Sequence, residues 1–167
     1  MNNIISNIIL AITLIITQVL LFSNINFMNS INPFIYIFFI IYYPLRHNRS
    51  LFILVSFLYG ITIDIFLDTH GIHATATLIV SYIRPFLMKL FFGVSYLHQV
   101  VKFSSIEIKQ NMLYLFTIIF THHFILFGLD IFDLSKISIV FKNTIYTLLF
   151  TFLMVYGLYE ILINKKK

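Results

Sequence analysis

The residues whose types could do chemistry are concentrated in one short stretch, DIFLDTHGIH, which lies between two long apolar runs. The polar residues of this stretch are Asp64, Asp68, His70 and His73. Side chains of these types can form a metal site, a proton path or a polar joint between helices. A zinc site needs three or four converging ligands at about 2 Å, and the His-Glu-x-x-His spacing of hydrolytic zinc enzymes is absent here. An intramembrane metal enzyme is therefore disfavoured, and no metal or cofactor is expected.

The elements that must position these residues are hydrophobic. Of the 167 residues, 60% are hydrophobic and 10% are charged, whereas a soluble domain carries about 25% charge. Mean hydropathy is +0.97. The composition predicts an all-α integral membrane protein, with one transmembrane domain over residues 1–167 and no linker or internal repeat. The net charge of +5 comes from scattered basic residues, so nucleic acid is not an expected partner.

Six transmembrane helices are expected, because a helix needs about 20 apolar residues to cross about 30 Å of hydrocarbon. The predicted spans are residues 3–22, 31–44, 51–67, 72–92, 112–129 and 144–163. The second contains the apolar run 33–43, for which Asn32 is the expected N-cap and Pro33 the first helical residue. A helix over this run would rise only about 16 Å, so the second span is expected to be short or tilted.

Loop charges set the expected orientation. The basic loops at 46–49 and 102–109 and the C-terminal lysines share one side of a six-span arrangement. By the positive-inside rule, this side and both termini are cytoplasmic. The DIFLDTHGIH stretch then forms a turn on the outer side, in which Gly71 adopts a positive φ and Asp68 or Thr69 caps the next helix.

Ionisable residues within the spans are expected to face protein or water, because charge is costly in hydrocarbon. Asp64 and Asp68 are four residues apart and so share one face of the third helix. For Asp64, helix packing is favoured over a proton or cation path. Arg84 precedes Pro85, which removes a helical amide and predicts a kink. A salt bridge or carbonyl contacts within the bundle are expected for Arg84, with an anionic ligand as the alternative.

Two further groups in the spans are interpreted as packing features. Ala74, Thr77 and Ser81 follow one another at spacings of three and four, a pattern that lets helices approach closely. His122 and His123 point about 100° apart on a helix, so they are expected to be satisfied individually rather than to chelate one ion.

A series of motifs between residues 32 and 85 carries a family resemblance. A short apolar run bounded by prolines, NPFIYIFFIIYYP, is followed by a basic turn, a third span ending G-x-x-x-D-x-x-x-D, and the fourth span GIHATATLIVSYIRP. This order resembles the MreD family of bacterial rod shape-determining membrane proteins. The family pattern falls on Gly60, Asp64, Asp68, Gly71, His73 and Ala74. The resemblance implies six helices, with a fold similar to the substrate-binding subunits of energy-coupling-factor vitamin transporters.

The function implied by this resemblance is that of a non-enzymatic scaffold in the bacterial cytoplasmic membrane. Such a subunit binds the transmembrane helix of MreC, acts indirectly with MreB, RodA and a class B penicillin-binding protein, contacts membrane lipid, and helps to position lateral peptidoglycan synthesis. The candidate structural or partner-binding residues are Gly60, Asp64, Asp68, Gly71, His73, Ala74, Thr77, Ser81, Arg84 and Pro85. The alternative is a small-molecule or lipid-binding transport subunit, which Arg84 at a helix break would suit.

Overall fold

The computed structural model describes residues 4–24, 32–43, 48–93, 103 and 106–163, which contain helices and no strands. The α-helices are α1 (Ile4–Leu20), α2 (Ile37–Tyr42), α3 (Arg49–Leu67), α4 (Ile72–Phe92), α5 (Ile108–Ile131) and α6 (Ile137–Leu162), with 3-10 turns at Phe22–Asn24 and Leu134–Lys136. The all-helical prediction is confirmed. The bounds predicted for the fourth span are those of α4, and α5 and α6 begin several residues earlier than expected.

The surface and the interior of the bundle have the polarity of a protein that lies in lipid. The helices α3, α4 and α5, and α6 together with the 3-10 turn before it, are long and apolar enough to cross a membrane, whereas α1 is shorter. Ile65, Phe86 and Leu153 are each more than 60% exposed. The buried polar side chains are Asn7, Gln18, Ser56, Asp64, His73, Thr77, Ser81, Arg84, Asn111, His122, His123, Thr144, Thr147 and Thr151. Long apolar helices, exposed apolar side chains and buried polar side chains are the properties of a helical membrane protein.

The long helices pack in sequence, α3 on α4, α4 on α5 and α5 on α6, while α1 lies against α3. The connections 68–71 and 132–136 lie at one end of the bundle, where their flanking residues line a common pocket. We call this the turn end. Residues 33–43, which include α2, form a central segment that contacts α1, α4, α5 and α6. All six residues of α2 are buried.

The first half of the central segment is not helical, and side chains of other helices bind its backbone. The Gln18 side chain of α1 donates from Nε2 to the carbonyl of Pro33 at 3.2 Å and accepts at Oε1 from the amide of Ile35 at 2.9 Å. The amide of Phe34 donates to Thr151 Oγ1 of α6 at 3.1 Å. A non-helical backbone at membrane depth is tolerated only where protein supplies such partners.

The prediction that Asn32 caps a helix beginning at Pro33 is wrong. The helix begins at Ile37, with Tyr36 in the N-cap position. In a helix, the Pro33 carbonyl would accept the amide of Ile37, four residues on. That carbonyl is instead bound by Gln18 of α1. The second apolar element is therefore short, as expected, but its helix covers only Ile37–Tyr42.

The second half of the central segment is also bound by side chains from the surrounding helices. A carbonyl that leaves the helical pattern in an apolar interior needs a donor from elsewhere. Three such bonds hold the segment from Tyr36 onward: Tyr59 to the Tyr36 carbonyl at 3.3 Å, Tyr114 to the Ile41 carbonyl at 3.4 Å, and Arg84 to the Tyr43 carbonyl at 2.7 Å. Side chains from α1, α3, α4, α5 and α6 thus all bind the backbone of one short segment.

The role of Gln18 is tested by Gln18→Met, with Gln110→Met as the matched control. Methionine fills a similar volume but leaves a buried amide and a buried carbonyl without partners, which costs about 1 to 3 kcal/mol for each group. We expect Gln18→Met to lower the free energy of unfolding in detergent micelles by at least about 1 kcal/mol. Gln110 is exposed, so its variant should resemble the wild type. Equal stability of the two variants would contradict the account.

Candidate functional site

Asp64, near the end of α3, caps the first turn of α4. Its carboxylate Oδ1 accepts from the Thr69 hydroxyl at 2.5 Å and from the His73 amide at 2.9 Å. Oδ2 accepts from the Ala74 amide at 2.7 Å. The first amides of a helix have no intrahelical partner, and the positive end of the helix dipole favours an anion there. The burial of Asp64 is therefore explained by a joint between two helices.

The prediction that Asp68 or Thr69 caps α4 is wrong. Asp68 ends α3 with a φ of 54° and is exposed, and the Thr69 hydroxyl donates to Asp64. Gly71 occupies the N-cap position with a φ of 92°, which confirms the predicted glycine turn. His70 is exposed in the same turn, so the four side chains of DIFLDTHGIH do not converge. Within the described ranges, no group of three or more His, Asp or Glu residues could hold a metal ion.

Gly60 lets α3 and α4 approach closely beside this cap. A Cβ atom on Gly60 would lie 2.5 Å from the Ala74 Cα and 2.8 Å from the Ala74 amide nitrogen. Thr77 and Ser81 continue the buried face of α4 and donate to carbonyls of their own helix at 2.9 and 2.8 Å. The small residues identified in the sequence therefore lie inside the chain, where the Ala74 end of their face meets α3.

Arg84 lies fully buried within α4, between the turn and the end of the helix at Phe92. Besides its bond to the Tyr43 carbonyl, Nε donates to the Tyr114 hydroxyl at 3.3 Å, and the guanidinium lies 5.0 Å from the centre of the Phe52 ring. The bond to Tyr43 is a carbonyl contact within the bundle, as predicted. The alternative of a salt bridge is not realised, because the one ion pair within the described ranges, which contain all six acidic residues, joins Lys136 to Asp133.

The helix α4 continues through Pro85 to Phe92, so the expectation that Arg84 sits at a helix break is wrong. Pro85 lacks an amide, but the other turns of α4 are maintained by packing against α3 and α5. Arg84 is therefore presented by a continuous helix, and its charge is stabilised by the Tyr43 carbonyl and the face of the Phe52 ring.

Five buried side chains form one continuous hydrogen-bonded row, which we call the histidine chain. The Tyr36 hydroxyl bonds His73 Nδ1 at 2.7 Å and His122 Nε2 at 2.8 Å. The Nδ1 atoms of His122 and His123 lie 3.1 Å apart, and His123 Nε2 lies 2.9 Å from Thr151 Oγ1. Each residue is at most 3% exposed. The central segment, α4, α5 and α6 each contribute to this row.

Sequence reasoning found the three histidines of this chain but not their connection. The partners of the Tyr36 and Thr151 side chains are 37, 86 and 28 residues away, so no local spacing could indicate them. Tyrosine and threonine are also common in apolar spans. His122 and His123 are satisfied, as expected, although they bond each other as well as separate partners. The one available signal was the presence of three histidines in otherwise apolar segments.

A pocket of about 260 Å³ opens at the turn end beside the histidine chain. Its polar lining is supplied by Ser23, Asn32, Thr69, His73 and Asp130, and its apolar lining by Phe34, Leu67, Ile72, Leu126 and Phe127. His73 is the member of the histidine chain that lines this pocket. One end of the histidine chain therefore borders this pocket.

A second concave surface of about 390 Å³ lies between α1 and α3, over the central segment; we call it the α1–α3 groove. Its lining comprises Asn7, Ile8, Ala11, Ile12, Phe39, Tyr43, Val55, Leu58, Tyr59 and Thr62. Asn7 is 5% exposed, and its Oδ1 atom has no hydrogen-bond partner within the described part of the chain. An apolar groove thus contains one buried acceptor.

Comparison with known proteins adds no family to these observations. No protein-family model, curated protein or solved structure matches the chain. The class defined by the fold is a helical membrane protein whose bundle encloses a short, partly non-helical segment.

The capping role of Asp64 is tested by Asp64→Asn, with Asp68→Asn as the control in the same turn. The amide group of asparagine removes the negative charge and replaces one acceptor oxygen by a donor that faces a helix amide. Hydrogen bonds to charged groups contribute about 1.5 to 3 kcal/mol. We expect Asp64→Asn to lower the free energy of unfolding by about 2 kcal/mol, and Asp68→Asn to change it by less than about 0.5 kcal/mol. The reverse order would show that Asp64 does not cap α4.

Proposed function

We propose that this chain is a non-enzymatic membrane scaffold of the MreD type, which binds the transmembrane helix of MreC. Through MreC it acts with MreB, RodA and a class B penicillin-binding protein to position lateral peptidoglycan synthesis in the bacterial cytoplasmic membrane. The observation that carries the proposal is the α1–α3 groove, in which a buried asparagine oxygen lies without a partner among apolar side chains.

The groove has the properties that a docking site for a single transmembrane helix requires. Its lining from Ile8, Ile12, Val55 and Leu58 is apolar, so lipid and a helix can both cover it. Lipid chains offer no hydrogen-bond donor to the Asn7 oxygen, whereas a helix can offer a hydroxyl or amide side chain. Polar side chains of this kind bond across helices in membranes. A helix with such a donor at the depth of Asn7 is therefore the preferred occupant.

The joint between α3 and α4 supports this proposal, because it explains the residues on which the resemblance rests. Gly60 allows close approach to Ala74, and Asp64 binds the first turn of α4. The joint fixes α3 against α4, and α3 supplies one wall of the groove. The family pattern of Gly60, Asp64, Gly71, His73 and Ala74 then describes a structural support for the docking surface.

The path of the central segment through the bundle supports six crossings of the membrane and the expected orientation. Asn32 lines the pocket at the turn end, and the ring of Tyr43 stacks on Phe52, near the start of α3, with centroids 5.1 Å apart. A helix of six residues rises only about 9 Å, so the extended residues before α2 supply the rest of the passage. With six passes, the basic loops and both termini share the cytoplasmic side.

The proposed groove is tested by Leu58→Trp, with Leu153→Trp as the matched control. Both leucines are more than half exposed, so neither variant should disturb the core, but only Leu58 lines the groove. After coexpression and detergent extraction, we expect wild-type chain and Leu153→Trp to retain MreC. Leu58→Trp should retain about tenfold less, which corresponds to a loss of about 1.4 kcal/mol. Equal retention by both variants would reject the groove, and a wild-type chain that stays monomeric beside MreC would reject the function.

A small-molecule or lipid-binding transport subunit is the second candidate function, and the pocket at the turn end favours it. The pocket presents the Asp130 carboxylate and the His73 ring beside apolar side chains, and ligand sites commonly combine such surfaces. A screen of vitamins and lipids by thermal unfolding would support this function if one compound raised the midpoint of the wild type and not of Asp130→Asn. An unchanged midpoint throughout the screen would count against it.

A further inference from the structure

The histidine chain has four links, and each link needs one proton. The links join Thr151 to His123, His123 to His122, His122 to Tyr36, and Tyr36 to His73. Two nitrogens or oxygens at 2.7 to 3.1 Å form a hydrogen bond when one of them carries the proton. They repel each other when neither or both carry one. The distances in the chain therefore fix how many protons its interior can hold.

In the neutral state, the five groups can satisfy all four links in two ways. In one arrangement each donor points from Thr151 toward His73, and His73 keeps its proton on Nε2, outside the chain. In the other arrangement every donor points the opposite way, the Nε2 atom of His73 is bare, and the Thr151 hydroxyl proton points out of the chain. Neutral imidazole has one donor and one acceptor nitrogen, so both arrangements are chemically complete.

The chain can accept one additional proton without breaking any link. With five neutral groups, four protons fill the links and the fifth lies at one end. A sixth proton occupies the other end, and the positive charge then resides on His73, His122 or His123. The charge moves from one ring to the next when the proton in the hydrogen bond between them passes from one atom to the other. Between His73 and His122 the charge passes through the Tyr36 hydroxyl, which accepts one proton and gives up another. A seventh proton would place two protons in one link.

The added proton has a route from water, because His73 lines the pocket at the turn end. Its Nδ1 atom is bound to Tyr36, so Nε2 is the ring atom that lies outside the chain. His122, His123 and Thr151 do not line the pocket. Exchange with water therefore takes place at His73, and the other two rings are reached only through the chain.

The charged and titratable groups near the chain favour a cation over an anion. From α3, Asp64 accepts from the His73 amide and the Tyr59 ring lies 6.1 Å from that of Tyr36; from α5, Asp130 lines the pocket. From α1, the neutral Gln18 contacts the central segment, and Thr151 is the contribution of α6. Arg84 lies at the opposite end of α2, while Asp68 and His70 are exposed in the turn.

We propose that the histidine chain is a proton-binding site that takes up a single proton from the turn end and shares it among three histidines. The ligand is the proton itself, which enters at His73 Nε2 and is balanced by Asp64 and Asp130. This inference is independent of the proposed scaffold function, since the α1–α3 groove shares no residue with the histidine chain.

The test is a titration of the full chain, labelled with ¹⁵N-histidine in detergent micelles, from about pH 8 to about pH 4. This range brackets the ordinary histidine pKa of about 6.5. We expect the ring signals of His73, His122 and His123 to move at one shared midpoint, with amplitudes that sum to that of one imidazole. Three independent transitions of full amplitude would overturn the proposal, as would ring signals that stay unchanged over the whole pH range.

Tyr36→Phe breaks the chain in the middle, and Tyr146→Phe on the exposed face of α6 is the matched control. We expect Tyr36→Phe to separate His73 from the other two rings, so that two protons bind at two midpoints. The control should retain the single transition. A single shared midpoint in Tyr36→Phe would overturn the proposal.

Thr151→Val is the second variant, and it tests whether the three histidines share one proton if Tyr36→Phe does not fold. Valine keeps the shape of threonine but removes the acceptor at the end of the chain. In a shared site, the midpoint should shift for all three histidines together. A shift confined to His123 would show that the rings bind protons separately and would overturn the proposal.

Discussion

The interior of this bundle is organised by one constraint, which is that a backbone segment without regular helical bonds must find hydrogen-bond partners inside an apolar environment. The central segment, residues 33–43, has a helix of only six residues. Several of its amides and carbonyls are bound by the side chains of Gln18, Tyr59, Arg84, Tyr114 and Thr151. Each side chain comes from a different helix, so all five of the surrounding helices help to hold this segment.

The same constraint connects the two surfaces proposed to have a function. Thr151 binds the Phe34 amide and also ends the histidine chain, while Tyr36 lies in the central segment and occupies the middle of that chain. On the other side of the segment, Phe39 and Tyr43 line the α1–α3 groove. One buried segment thus contributes both to the histidine chain and to the α1–α3 groove.

The sequence was sufficient for the class of fold, because apolar length and the Gly71 turn are local properties. The bounds 72–92 and the shortness of the second element follow from the same local rules. The caps assigned to Asn32 and Asp68 were wrong, since the groups that bind those backbones come from another helix or an earlier turn. Tyr36, Gln18 and Thr151 could not be recognised, because their roles depend on contacts with residues far away in the sequence.

Amide hydrogen exchange of Phe34 and Ile35 tests the central claim most directly. Both residues lie outside any helix, yet their amides are bound by Thr151 and Gln18. In detergent micelles the account predicts exchange as slow as that of buried residues in the middle of α5, such as Ile118. Exchange as fast as that of exposed His70, in an otherwise folded protein, would contradict the claim that side chains of the surrounding helices hold the central segment.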